Sequence, residues 1–153
     1  MMKNNPNSRN SLSRLLVVEP EFAQLRPVLD TLREEDYRVT VCACRDAALT
    51  HVKGLDFGVV IINLRPSCAE DAQWLQQAAQ LNSHVHVILH TEQPTLDDLK
   101  AALNLGAFGW VQRGDLDGLV TQVHRAFRNL YRVSAHLAIV DEPIPATAKR
   151  QWR

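Results

Sequence analysis

The sequence has few cysteines, no net charge and no long hydrophobic run, and each of these features excludes a class of protein. Three cysteines in 153 residues are too few, and odd in number, for a disulfide framework, which indicates a reducing compartment. Basic and acidic residues balance at 17 each, so net charge gives no reason to expect nucleic acid or an anionic membrane as partner. The apolar run at 15–18 is too short for a secretion signal or a membrane span, and we expect a cytoplasmic protein.

Sequence motifs for cofactor and metal chemistry are also missing. The chain has no Gly-x-Gly-x-x-Gly, phosphate loop, Gly-x-Ser-x-Gly or His-Glu-x-x-His motif, and Cys42 and Cys44 have no second pair of ligands at zinc spacing. His84, His86 and His90 fall on one predicted strand, where the outer two would lie roughly 20 Å apart, too far for one ion. We therefore expect edge or surface histidines, and for His90, which adjoins Thr91, a position facing the pocket rim at the strand ends also stays open. We predict no metal, no cofactor and no catalytic residue.

Basic residues are concentrated at the two ends of the chain. Residues 1–14 carry three basic and no acidic residues, and residues 145–153 do the same. Because the length suits one domain, we predict a disordered basic tail over 1–13, a single domain over 14–132 and a linker or C-terminal tail over 133–153. Three charges in each tail are too few to predict nucleic-acid binding by this chain alone.

Short apolar runs alternate with helical patterns along the chain. Strands are predicted over 15–18, 37–42, 57–62, 85–90 and 107–111, and helices over 22–35, 47–53, 67–81, 96–105 and 115–132. The third helix is predicted to begin with a capping box formed by Ser67 and Glu70. Nearly continuous apolar strands indicate an α/β fold with a doubly wound, five-stranded parallel sheet. Such sheets carry their site at the carboxyl ends of the strands, and the residues there are Glu19, Asn63, Thr91 and Arg113.

The chain resembles the CheY-like receiver domain of bacterial response regulators over roughly residues 14–132. The matching segments are Leu-Leu-Val-Val-Glu-Pro-Glu at 15–21, Asp-Phe-Gly-Val-Val-Ile-Ile-Asn-Leu-Arg-Pro at 56–66, Val-Ile-Leu-His-Thr at 87–91 and Gly-Ala-Phe-Gly-Trp-Val-Gln-Arg-Gly at 106–114. The resemblance implies a flavodoxin-like (βα)5 fold with strand order 2-1-3-4-5. It also implies a role in two-component signal transduction.

The resemblance further implies where chemistry would occur, and this sequence departs from that pattern. In a typical receiver, an acidic pair after the first strand and an aspartate after the third hold Mg²⁺, and the aspartate accepts a phosphoryl group. Here the acidic pair is Glu19 followed by Pro20, the phosphoacceptor position is Asn63, and the lysine position is Arg113. Only Thr91 is unchanged. We therefore expect an atypical, non-enzymatic receiver that lacks the phosphoacceptor aspartate.

Two interpretations of these strand-end residues remain open. Either they form a polar rim with no further role, or Arg113 pairs with Glu19 and fills the pocket, since a guanidinium binds a carboxylate bidentately. Trp110 falls where receivers carry a switching aromatic, although a large strand residue that covers core explains it equally well.

The surface formed by the fourth helix, fifth strand and fifth helix is the candidate interaction surface. We expect Asp97 and Asp98 on the fourth helix and Arg125 and Arg128 on the fifth to be exposed, although scattered solvated charges would look the same. The predicted function is phosphorylation-independent signalling through contact with a protein partner or a second copy. One alternative is the regulatory or dimerisation domain of a transcription regulator. Another is a ligand-binding protein or enzyme that uses the strand-end pocket.

Overall fold

Strands and helices alternate in the computed structural model, which describes residues 14–54 and 57–141, with side chains described through Arg132. The strands are β1 (Arg14–Val18), β2 (Arg38–Cys42), β3 (Val59–Ile62), β4 (His86–Thr91) and β5 (Gly109–Gln112). The helices are α1 (Phe22–Glu34), α2 (Arg45–Lys53), α3 (Ala69–Leu81), α4 (Leu96–Asn104) and α5 (Leu116–Asp141). The predicted tail over 1–13 and residues 142–153 lie outside the described residues.

The five strands form one parallel sheet in the order β2-β1-β3-β4-β5. This order confirms the predicted doubly wound α/β fold. Because every strand runs in the same direction, the carboxyl ends of β1, β3, β4 and β5 meet at one edge of the sheet, next to one another in that order.

Successive side chains of each strand point to opposite faces of the sheet, and each face has its own core. One core contains Leu16, Ile62 and Leu89 with side chains of α2, α3 and α4. The other contains Val17 and Ile88 with side chains of α1 and α5. This alternation decides which of the strand-end residues share a face.

Two local predictions differ from the structure. The capping box at Ser67 does not form, since α3 begins after Cys68 without a side-chain cap and Ser67 bonds to Asp98 instead. A capping box does form on α4, between Thr95 and Asp98. Helix α5 was predicted to end near Arg132, but its backbone stays helical to Asp141.

Candidate functional site

Glu19 and Arg113 form a buried ion pair at the carboxyl edge of the sheet. Nη2 of Arg113 donates to Oε1 of Glu19, and the two side chains are only 8% and 6% exposed. The backbone N–H of Glu21 donates to Oε2 of Glu19 at 3.2 Å. On the solvent side, Oε1 of Glu92 lies 3.7 Å from Nη1 of Arg113. Of the two interpretations left open for these residues, a polar rim or an ion pair, the structure contains the ion pair.

The strand order explains the path of the Arg113 side chain. Glu19 follows β1 and Arg113 follows β5, so the ends of β3 and β4 lie between them. At about 4.8 Å for each strand spacing, the two backbones are roughly 14 Å apart, which a long guanidinium side chain and a glutamate span together. The Arg113 side chain therefore crosses the ends of β3 and β4, where Asn63 follows β3 and His90 is the last residue but one of β4.

The loop after β5 holds the Arg113 backbone in place. The N–H of Arg113 donates to the carbonyl of Thr91 at 2.7 Å, which continues the β4–β5 pairing beyond the strand. Gly114 follows with φ of +92°, in the left-handed region. Residues with a side chain rarely adopt this conformation, and proline, whose φ is fixed near −65°, cannot adopt it at all. The glycine at this position is thus required by the path of the loop, and Asp115 then accepts the first hydrogen bonds of α5.

His90 is buried beneath this ion pair, so of the two positions left open for it the structure contains the one at the strand ends and not the surface. It is 5% exposed, and its Nε2 has no hydrogen-bond partner. A narrow cavity beside it is lined by Glu19, Asn63 and His90 together with side chains of α1. Burial first, and then the charge of Arg113, lower the pKa of His90, whereas Glu19 raises it. We call Glu19, Asn63, His90 and Arg113 the strand-end cluster.

Asn63 and Thr91 border an open cleft above the strand-end cluster. The cleft has a volume of about 400 Å³, and its lining includes Glu21, Arg65 and Arg113. Asn63 is exposed and offers a carboxamide, which is not a nucleophile for phosphoryl transfer. Pro20, the neighbour of Glu19, is exposed and lies between β1 and α1.

Thr91 and Trp110 form a contact on the opposite face of the sheet. Trp110 is half-buried against the core on the α2–α4 face, and its indole Nε1–H donates to the hydroxyl of Thr91 at 2.9 Å. The threonine oxygen and the ring are thereby held together. Both residues had been predicted from sequence as site positions, but this hydrogen bond had not.

Asp98 is the residue whose predicted environment is wrong, because it is buried and not exposed. It is 3% exposed, and its carboxylate accepts from the N–H of Thr95 at 2.9 Å and from the N–H of Ser67 at 3.2 Å. The Ser67 hydroxyl also donates to it, and Arg65 lies 3.6 Å away. Burial alone would raise the pKa of Asp98, but the hydrogen bonds from Ser67 and Thr95 hold it well below its usual range. The carboxylate ties the start of α4 to the loop after β3.

The outer face of α4 carries two exposed leucines, with the exposed Lys100 between them. Leu96 and Leu103 are 67% and 78% exposed, and seven residues apart they lie on the same side of the helix. Asp97 beside them is exposed, as predicted. On α5, Arg125 and Arg128 are exposed, and Arg125 lies 5.9 Å above the ring of Phe108. Among the residues whose side chains are described, through Arg132, no ion pair joins Asp97 to Arg125 or Arg128.

The strand-end cluster does not fit the Mg²⁺ ion that the resemblance implies. Mg²⁺ in proteins takes one or two carboxylates plus phosphate oxygens. Here the single carboxylate, Glu19, is bonded to a cation, and the neighbouring Asn63 is neutral. Within the described ranges, no group of three His, Cys, Asp or Glu side chains has the arrangement of a metal site.

Among the helices of 14–54 and 57–141, none combines the length and apolar character that a membrane span requires.

The fold is that of solved receiver domains. No protein-family model matches this sequence, and no curated protein does. Among solved structures, a CheY-like response regulator receiver domain protein from Methanospirillum hungatei is 21% identical with a TM-score of 0.70, covering 80% of this chain and 98% of that one. The receiver domain of a LuxO repressor protein from Vibrio parahaemolyticus is 18% identical with a TM-score of 0.72, covering 80% and 95%. An adenylate cyclase from Rhodopirellula baltica is 20% identical with a TM-score of 0.74, covering 85% and 98%. These likenesses show that the chain has the receiver fold.

Proposed function

We propose that residues 14–132 form an atypical receiver domain that signals through protein contact and without phosphorylation. The observation that carries this proposal is the buried pair of Glu19 and Arg113 beside Asn63. A phosphorylated receiver needs an acceptor carboxylate, a metal held by acids and a free cation for the phosphoryl oxygens. In this chain the acceptor position is a carboxamide, and the acid and the cation are bonded to each other.

Two further contacts support a domain held in one arrangement. Trp110 donates to Thr91, so neither the threonine nor the aromatic side chain moves without breaking a hydrogen bond. Asp98 fixes the start of α4 to Ser67 through one backbone and one hydroxyl donor. The first contact ties β5 to β4, and the second ties α4 to the loop after β3.

The interaction surface that we propose consists of the outer face of α4, the edge of β5 and the adjoining face of α5. Leu96 and Leu103 are its large exposed apolar side chains, and the exposed Lys100 lies between them on the same side of α4. Asp97 on α4 and Arg125 on α5 provide opposite charges, so a second copy related by a two-fold axis would place acid against base. We propose a second copy as the first partner of this surface.

The phosphorylation claim is tested by intact mass. The purified chain is incubated with Mg²⁺ and acetyl phosphate, beside a receiver domain that has an acceptor aspartate as a positive control. We expect the mass of this chain to stay unchanged while the control gains one phosphoryl group. A phosphoryl group on this chain contradicts the proposal, whichever residue carries it.

The surface claim is tested by sedimentation over a range of concentrations. We expect self-association that weakens in Leu103→Ser and is retained in Phe22→Ser, a matched control because Phe22 is 75% exposed on α1. A wild-type chain that stays monomeric throughout the range contradicts a second copy as the partner. Equal association of both variants would place the contact elsewhere.

A further inference from the structure

His90 is a buried polar residue of the strand-end cluster whose Nε2 makes no hydrogen bond. Buried polar atoms in proteins are nearly always paired, and each exception calls for a reason. The cavity next to His90 is too narrow for a water molecule, so solvent does not satisfy the ring. Nε2 of His90 is therefore buried without a partner from protein or solvent.

Arg113 supplies a second unpaired atom in the same cluster. Its Nε is buried without a partner, although its Nη atoms reach Glu19 and Glu92. A guanidinium N–H only donates, whereas a neutral imidazole has one nitrogen that accepts. No hydrogen bond joins the two orphaned atoms. The Arg113 side chain crosses the end of β4 next to His90 on its way to Glu19, so a proton on Nε2 of His90 places a second positive charge beside the guanidinium.

We propose that His90 makes the Glu19–Arg113 ion pair acid-sensitive. Neutral His90 leaves the guanidinium undisturbed beside Glu19, whereas protonated His90 repels the guanidinium and drives it towards Glu92 and the cleft. The proton comes from solvent and is bound by Nε2. This inference rests on the proposed function, because the ion pair is what holds the domain in one arrangement.

The surroundings of His90 determine the direction of this effect. The charged groups that act on it are Arg113 after β5 and Glu19 after β1, while β3 and α1 contribute Asn63, Ile61, Leu25 and Val28 to its cavity, none of which titrates. Burial and Arg113 disfavour the imidazolium, so the pKa of His90 lies below its ordinary value of about 6.5. The pair is therefore complete at neutral pH and is lost only as the pH falls below that value.

Glu92 offers the displaced guanidinium an acceptor. Its side chain is 71% exposed and already lies 3.7 Å from Nη1 of Arg113. A move towards Glu92 takes the guanidinium out of the core and into the cleft above Asn63. The charge of Glu19 is then available to protonated His90 in its place.

Nuclear magnetic resonance tests the proposal, because it reports the ring protons of His90 and the Nε–H of Arg113 in one titration. We expect His90 to titrate below about pH 6.5 and the Arg113 signal to change at the same midpoint. In His90→Gln, whose side-chain oxygen is a neutral acceptor at every pH, the change of the Arg113 signal should move to lower pH. His84→Gln, an exposed control on the same segment, should leave the midpoint unchanged.

Two outcomes overturn the proposal. One is an Arg113 signal whose midpoint differs from that of His90 in the wild-type chain, and the other is an unchanged midpoint in His90→Gln. The wild-type comparison decides the matter even where the variant fails to fold. The acetyl phosphate experiment is run at neutral pH and does not depend on His90, so failure of the proposed function is recognised separately.

Discussion

A double-mutant cycle on Glu19 and Arg113 measures whether the buried ion pair holds the domain together. Both side chains are more than nine-tenths buried, so solvent screens the charges little. Removing one partner of a buried pair leaves an uncompensated charge and costs about 3–5 kcal/mol. Glu19→Gln leaves Arg113 with Glu92, and we expect a loss of about 3 kcal/mol. Arg113→Met leaves Glu19 with only the N–H of Glu21, and we expect about 4 kcal/mol.

The double variant should be no less stable than the weaker single variant, since neither charge remains unpaired. The expected coupling is therefore about 3 kcal/mol, measured by urea unfolding at pH 7.5 with far-ultraviolet circular dichroism and equal slopes across the four proteins. The exposed pair of Arg45 and Glu70, at 3.2 Å, is the control, and its coupling should stay below about 1 kcal/mol. A coupling under about 0.5 kcal/mol between Glu19 and Arg113 would refute the claim that the pair holds the sheet edge.

Three further variants test the neighbouring contacts. Asp98→Asn should lower the free energy of unfolding by about 2 kcal/mol at neutral pH. Because folding lowers the pKa of Asp98, the wild-type chain loses this stability as the pH falls below about 4, whereas the variant does not. Trp110→Phe removes the donor to Thr91 and should cost about 1 kcal/mol in thermal or urea unfolding, with a matching loss in Thr91→Val. Gly114→Ala forces a side chain into the left-handed region and should cost about 1–2 kcal/mol, while a cost near zero would show that the loop takes another path.

The sequence predicted the sheet, and it offered the Glu19–Arg113 pair as one of two interpretations of the strand ends. Apolar strands of this kind form parallel sheets, and parallel sheets bring their carboxyl ends together. That placement brings a carboxylate and a guanidinium to one edge, but it does not distinguish an ion pair from a polar rim. The burial of His90 was not predicted, because the strand pattern does not reveal that the long side chain of Arg113 covers this end of β4.

The phase of α4 was also beyond the sequence, for a different physical reason. Leu96 and Leu103 are apolar and two helical turns apart, a spacing typical of a face that packs on a sheet, yet both point outward. The face that packs contains Asp98, whose carboxylate replaces water with donors from Ser67 and Thr95. Thr95 lies three residues before Asp98, at the spacing of a capping box, but Ser67 lies 31 residues away in the chain, so helical periodicity contains no signal for its contact. The outward leucines are what an uncovered interaction surface would show.

Independence from phosphorylation would not depend on Asn63 alone. An aspartate at this position would supply an acceptor carboxylate, but Arg113 would still be bonded to Glu19, and the Thr91 hydroxyl would still accept from Trp110. A metal ion there would compete with a fixed guanidinium, and a phosphoryl group would find its usual cation already paired. The added negative charge would instead strengthen the hold of the cluster on Arg113. The proposed independence from phosphorylation therefore depends more on the contacts among the side chains around the cleft than on the identity of residue 63.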